Sequence, residues 1–337
     1  MAKPVIGVDI GYDNLKLALV KKGVVNKVVC VPMPKNMMSE GRIVSNESMG
    51  ELLRRTIKET GLRAPNAAVV LPNDNVYIKN VVMPLMTAEQ LAYNLPFEFH
   101  DYITEELNSY IFDYAMIEAH NDDQEGQDAE EEPSTMEMLA VGMPRAGIDD
   151  LAAITRKAGL RLTMAAPALC SYIALIREKQ KDPAWEASEI CIIDLGYQAI
   201  RMYMFSGDRH MATRSLEIGL SVLDDVVADV YNVDVHLAHT YLTTDYDSCQ
   251  SRQECLNAYE NIAVELMRAV NFYHFSNPGS HIDDVWLCGG GAALQPLREA
   301  IGDSLDMMVH PAEELVPGGE NIEDCNTFVQ AIGIALS

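Results

Sequence analysis

The chain has 337 residues, 48% of them hydrophobic and 22% charged, which excludes collagen-like, disordered and coiled-coil classes. The length suits about two domains of ~150 residues. Asp and Glu number 50 against 25 Lys and Arg, a formal net charge of −25; with no basic run longer than two residues, a duplex or anionic bilayer repels this chain, and direct nucleic-acid binding is not expected.

Met1-Ala2-Lys3-Pro4 leads straight into an apolar strand over 4–10, without the apolar core of a secretory signal. The corner Gly11-Tyr12-Asp13-Asn14 follows, then strands over 15–20 and 24–31 joined by Lys21-Lys22-Gly23. Residues 48–60 have helical periodicity and Gly61 closes them. Residues 67–71 form a buried strand ended by Pro72. Strand patterns recur over 76–83, 109–119 and 136–143, with a helix capped by Thr87 after the first. Residues 120–135 are a polar, acidic loop, and 148–159 form an amphipathic helix. Between Lys79 and Arg145 there is no Lys or Arg, against fifteen Asp and Glu residues. Two readings fit: a solvated face, or a face that meets a basic partner.

A helix over 171–179 and a loop at Lys181-Asp182-Pro183 precede a repeat of the opening. Residues 189–194 are a strand, Leu195-Gly196-Tyr197-Gln198 a corner, and 199–205 and 209–216 two further strands. V-D-I-G-Y-D and I-D-L-G-Y-Q spell the same pattern, so the chain is internally duplicated into two similar lobes. Residues 221–275 read as helical throughout. The strand 284–288 runs into Gly289-Gly290-Gly291-Ala292, a helix begins at Leu294, and Thr327–Leu336 closes with a small amphipathic helix. Seven single cysteines without a C-x-x-C pair read as reduced, mostly buried thiols of a cytoplasmic protein. No run approaches the ~20 apolar residues of a spanning helix, so no direct membrane insertion is expected. His236 and His239 lack a ligand-spaced partner for zinc and read as a partly exposed helix face. Met202 and Met204 alternate within a strand and read as packing.

The chemistry concentrates at the three glycine corners. Glycine lets a backbone turn sharply and present N–H groups to an anion. Asp9 and Asp194, each at a strand end, suit Mg²⁺ held mainly through water, and Lys16 can meet a phosphate as a point charge. The triple glycine before a helix lets a base and ribose approach the backbone. Each corner alone is also consistent with an ordinary turn. Their order and repeated spelling point to a polyphosphate clamp between lobes, and neither the Walker A nor the G-x-G-x-x-G pattern occurs.

With these corners the chain resembles the superfamily of actin, sugar kinases and heat-shock chaperone ATPases. Within it, the chain is most similar to the PilM family of type IV pilus assembly proteins, relatives of FtsA. Leu95–Ile103, Phe112-Asp113-Tyr114, Leu139–Arg145, Arg214–Gly219 and Trp286–Ala292 carry that likeness. The resemblance implies an α/β, actin-like ATPase (ribonuclease H-like) fold with two duplicated lobes and an inserted small α+β subdomain. The first lobe would comprise 1–75, 150–186 and 326–337. The insert would span 76–149 and bind a partner; the second lobe would span 187–325, with a helical subdomain at 221–280. ATP and Mg²⁺ would lie between the lobes. Asp9 and Asp194 would face the metal, Gly11, Tyr12, Asp13, Asn14, Lys16, Gly196 and Tyr197 the phosphates, and Gly289, Gly290 and Gly291 the nucleoside. The implied partner is the short cytoplasmic tail of a single-span, PilN-like membrane protein, held in a groove beside the insert. That would place the protein in the cytoplasm, peripheral to the membrane through its partner. Cytoplasmic flanks of membrane helices tend to be basic, which agrees with the acidic insert.

Where the superfamily carries small hydroxyl residues, this chain has Tyr12-Asp13-Asn14 and Tyr197-Gln198-Ala199. At the crossing Ala165-Ala166-Pro167, Ala166 replaces the chaperones' glutamate and cannot orient water. ATP hydrolysis is therefore expected to be slow or absent, and ATP would set the angle between lobes. The alternatives are a small-molecule kinase of the same superfamily, an FtsA-like filament and a nucleotide-free adaptor. The filament usually needs a cationic amphipathic tail, which Ile332–Ser337 does not supply. Self-association stays open.

Overall fold

The computed structural model describes residues 3–39, 42–72, 76–120 and 135–337; residues 121–134, most of the expected acidic loop, lie outside them. The chain opens with strands β1 (Val5–Ile10), β2 (Asn14–Lys21) and β3 (Val24–Pro32), a two-residue hairpin β4 (Met38–Ser39) and β5 (Arg42–Ile43), helix α1 (Asn46–Thr60) and β6 (Asn66–Val70). Ser45 caps α1, its side chain accepting from Ser48 N–H, and Gly61 closes it in the left-handed region at φ 71°, as its sequence requires.

Strand β7 (Tyr77–Pro84), helix α2 (Ala88–Asn94), β8 (Tyr110–His120) and β9 (Thr135–Pro144) come next. Thr87 caps α2 in a reciprocal box with Gln90, a device that contributes about 1 kcal/mol. Helix α3 (Arg145–Lys157), β10 (Arg161–Ala166) and α4 (Ala168–Lys179) lead to β11 (Glu189–Leu195), β12 (Ile200–Ser206) and β13 (Arg209–Leu216). The final part holds α5 (Ser221–Tyr231), α6 (Val235–Thr244), α7 (Gln253–Ser276), β14 (Asp284–Cys288), α8 (Gln295–Ser304), β15 (Met308–Pro311) and α9 (Cys325–Leu336).

Two five-stranded sheets have one plan. The first runs β3–β2–β1–β6–β10 and the second β13–β12–β11–β14–β15. In each, an antiparallel meander of three strands is extended by two parallel ones. The central strands are buried on both faces, hence their continuous apolar spelling. The third sheet, β7–β9–β8, is antiparallel and packs Val81, Met136 and Met138 against Leu91, Leu95 and Phe99.

Helices α1 and α3 cover one face of the first sheet; α5 to α8 cover one face of the second. Between the two sheets α4 and α9 share a single core with Ala68 and Val70 of the first sheet and Ile192, Tyr203 and Trp286 of the second. A Cβ on Gly7 of β1 would stand only 1.8 Å from the Ala331 carbonyl oxygen of α9, so glycine is required for this approach.

Three expectations need correction. The region 221–275 is three helices, broken where Asn232 and Asp245 take positive φ of 51° and 48° and where Asp234 caps α6. The amphipathic helix read over 148–159 starts at Arg145 and ends at Lys157. Strands β10 and β15 have no matching segment in the sequence reading: both are short edge strands whose conformation comes from pairing with β6 and β14. Met202 and Met204 are buried core residues as expected. Five of the seven cysteines are buried, Cys30 is exposed, and all seven are free thiols.

Candidate functional site

Strand β1 ends at a turn in which the Gly11 N–H donates to the Asn14 carbonyl at 3.0 Å. A Cβ on Gly11 would sit 2.9 Å from that oxygen. The β11 turn repeats the contact: a Cβ on Gly196 would sit 2.6 Å from the carbonyl oxygen of Ala199, again three residues on. The same close backbone approach therefore demands glycine in both lobes.

Each turn places a carboxylate opposite a cation. Asp9 pairs in register with Lys16 on β2, and Asp194 with Arg201 on β12. Lys16 Nζ lies 3.4 Å from Asp9 Oδ2. Burial works against the Lys16 charge, but Asp9 and Asp194 outweigh it and raise its pKa above the usual lysine value. Burial pushes the Asp194 carboxyl up from its ordinary value, Lys16 draws it down, Asp9 adds to the rise, and Arg201 and the Gln330 amide pull it back. Gln330 on α9 donates to Asp194 Oδ2 at 2.7 Å and to the Tyr172 hydroxyl at 3.0 Å.

The triple glycine divides its work. Gly289 has φ 86° and ψ −179°, a region essentially confined to glycine. A Cβ there would stand 2.5 Å from Asp194 Oδ1, and one on Gly291 would stand 2.8 Å from Leu195 Cβ. These two let the end of β14 pack against the Asp194 turn. A Cβ on Gly290 would meet nothing within 4 Å, so its backbone faces open space.

One cavity of about 350 Å³ gathers these parts, within the ~300–1,000 Å³ of small-molecule sites. Asp9, Gly11, Tyr12, Asp13, Asn14 and Lys16 line it from the first lobe; Asp194, Gly196, Tyr197 and Gly290 line it from the second. Gly289 and Gly291 stand behind that lining.

Among the polar lining residues that the sequence did not assign to the site are Arg201, Asp224, His239 and Gln330. Arg201 was legible, because it follows Asp194 by the interval that separates Lys16 from Asp9. Gln330 is a polar side chain in the otherwise apolar stretch Phe328–Leu336 of α9. Asp224 on α5 is 1% exposed, and the Tyr197 hydroxyl donates to it at 2.9 Å. His239 is not an idle helix face. Its Nδ1 lies 3.0 Å from Asp224 Oδ2 and its Nε2 lies 3.3 Å from Asp13 Oδ2.

Among the described residues no cluster of three or more His, Cys, Asp or Glu could hold a metal ion unaided. Asp9 and Asp194 still fit Mg²⁺, which keeps much of its water and takes one or two carboxylates together with ligand phosphates.

Two lobes of one topology, joined by a shared core and facing each other across a cleft lined by paired Asp–x–Gly turns, define an actin-like ATPase fold. The family described as "Type IV pilus assembly protein PilM" matches residues 7–335. The chain belongs to that family, so the expected fold and family both hold. Of the solved structures, "PilM-PilN type IV pilus biogenesis complex" superposes with a TM-score of 0.80 at 18% identity, covering 98% of this chain and 97% of that one. The ethanolamine utilization protein EutJ from Carboxydothermus hydrogenoformans gives 0.63 at 13% identity, over 100% and 90%. No helix among the described residues is long and apolar enough to cross a membrane.

Proposed function

We propose that this type IV pilus assembly protein binds ATP with Mg²⁺ in the interlobe cleft, and that the bound nucleotide sets the angle between lobes. The observation that carries the reading is the convergence of both Asp–x–Gly turns on one cavity of about 350 Å³. The Gly11 and Gly196 turns would present N–H groups to the phosphates, Lys16 would meet them as a buried cation, and Gly290 would leave room for the nucleoside. Mg²⁺ would offset phosphate charge, held by Asp9 and Asp194 mainly through water. Ala166 ends β10 without a carboxylate at the crossing, so turnover should be slow or nil. Calorimetric titration with Mg·ATP tests this: saturable binding that Lys16→Met weakens at least tenfold supports it, and absence of heat in the wild-type protein ends it.

The segment 76–149 would be the partner-binding subdomain. A second groove, of about 300 Å³, lies between Ile111, Val141 and Met143 of the small sheet and Leu162, Met164 and Ala165 of β10, with Asp113 in its lining. Strands β8 and β10 are the facing sheet edges, so an extended peptide would meet backbone as well as apolar side chains. The occupant we infer is the short basic cytoplasmic tail of a single-span, PilN-like membrane protein, which would hold the chain at the membrane. The solved PilM–PilN complex and the absence of Lys and Arg between Lys79 and Arg145 support this. Val141→Glu with Met164→Glu should abolish binding of a labelled tail peptide while the melting curve keeps its shape; unchanged affinity would exclude the groove.

A further inference from the structure

The cavity lining holds four carboxylates, Asp9, Asp13, Asp194 and Asp224, against Lys16, Arg201 and His239. Such a cleft would repel a polyphosphate unless every cation counted. Asp13 is the most exposed of these acids to a ligand, its side chain 34% accessible.

His239 answers Asp13 from across the cleft. Asp13 belongs to the first-lobe turn, His239 to α6 and Asp224 to α5 of the second lobe. Both ring nitrogens face carboxylate oxygens, at 3.3 Å on the Asp13 side and 3.0 and 3.2 Å on the Asp224 side. A neutral imidazole donates from one nitrogen only and would turn a lone pair toward the other carboxylate; a ring held between two carboxylates therefore favours the imidazolium. Tyr197 fixes the ring further, edge-on at 5.8 Å, with its hydroxyl on Asp224.

The groups facing His239 can be named by element. The first turn contributes Asp13 and, through its stack on Tyr197, Tyr12. Helix α5 contributes Asp224 and the second turn Tyr197. On α6 itself Asp234 holds the N-terminal N–H groups of His236 and Leu237. Hydrogen bonds with Asp13 and Asp224 raise His239 to about 10 against a burial cost.

We propose that His239 is the cleft's charge-compensating cation: it clasps the two lobes through Asp13 and neutralises the carboxylate that this chain carries in its phosphate turn. The second part rests on the ATP reading; the clasp does not.

Two measurements separate them. In the free protein, ¹³C,¹⁵N-histidine NMR should show His239, assigned with His239→Asn, still protonated at pH 8, and Asp13→Asn should lower its midpoint by at least one pH unit. An ordinary midpoint near 6.5 that ignores Asp13→Asn overturns the clasp, whether or not ATP binds. In Mg·ATP titrations His239→Asn should weaken binding about tenfold by leaving Asp13 uncompensated. Asp13→Asn should tighten it, and the double variant should return to within about threefold of wild type. Losses of one sign in both single variants, or a double variant as weak as His239→Asn, overturn the charge-compensation role. Failure of the wild type to bind ATP overturns that role together with the nucleotide reading and leaves the NMR result to judge the clasp.

Discussion

Tyr12 of the first lobe and Tyr197 of the second stack ring on ring, 5.4 Å between centroids and 8° from parallel. Each follows the glycine of its own turn, so the duplicated spelling G-Y brings two aromatic faces together across the cleft. Such a pair contributes about 1 kcal/mol. A double-mutant cycle of Tyr12→Ala and Tyr197→Ala in urea should return a coupling of about that size. Tyr197→Phe alone should lose the Asp224 hydrogen bond and leave the stack.

Lys16 is a second point of leverage. It is 14% exposed beside Asp9, itself 12% exposed. Removing one member of a buried ion pair strands the other charge and costs about 3 kcal/mol or more. Lys16→Met should lower the unfolding free energy by that amount, seen in urea as a lower midpoint at an unchanged m-value.

The adjacent glycines Gly289 and Gly290 should respond in opposite ways. Gly289→Ala forces a Cβ against Asp194 Oδ1 at positive φ and should cost about 2–3 kcal/mol. Gly290→Ala meets nothing within 4 Å and should change stability by less than about 0.5 kcal/mol, while reducing the room left for a ligand. Thermal melts and Mg·ATP titrations of the two variants read this directly.

Two histidines should tilt stability in opposite directions with pH. Burial pushes His210 down to about 4 from an ordinary 6.5, so the folded state binds fewer protons than the unfolded chain. The stability it carries is complete above 6.5 and is lost as pH falls through about 4. His239 is raised to about 10 from 6.5. Its contribution is complete below 6.5 and is lost as pH rises through about 10. His210→Gln should flatten the acid limb of the stability profile and His239→Asn the alkaline limb, both measured as differences from wild type.

The lobes were legible because each strand–corner–strand unit is local: Asp9, Gly11 and Lys16 lie within one hairpin, and Asp194 and Gly196 repeat it. Helix α1 was legible over 48–60 with its stop at Gly61 for the same reason, whereas its true start, at the Ser45 cap, was not read. Strand β10 was not, because its Arg-Leu-Thr-Met spelling becomes a strand only beside β6. The helical run after Ser221 concealed its breaks, since Asn232 and Asp245 end their helices in the left-handed region without a glycine to announce the stop. His239 was out of reach for a topological reason: its two carboxylates stand 15 positions earlier in sequence on another helix and in a turn of the opposite lobe. Only packing brings them together.

In the interlobe core Gly7 lies so near Ala331 that a Cβ on it would stand 1.8 Å from the Ala331 carbonyl oxygen, and the two residues come from nearly opposite ends of the described chain. A growing polypeptide on the ribosome can form the opening hairpins early, yet the face of the first sheet that α9 covers stays bare until that helix emerges. Protein synthesis must therefore run almost to Leu336 before the two halves can seal. Fusions or deletions that disturb α9 should release aggregation-prone nascent chains, whereas the same lesion in the Lys21–Gly23 turn should be silent.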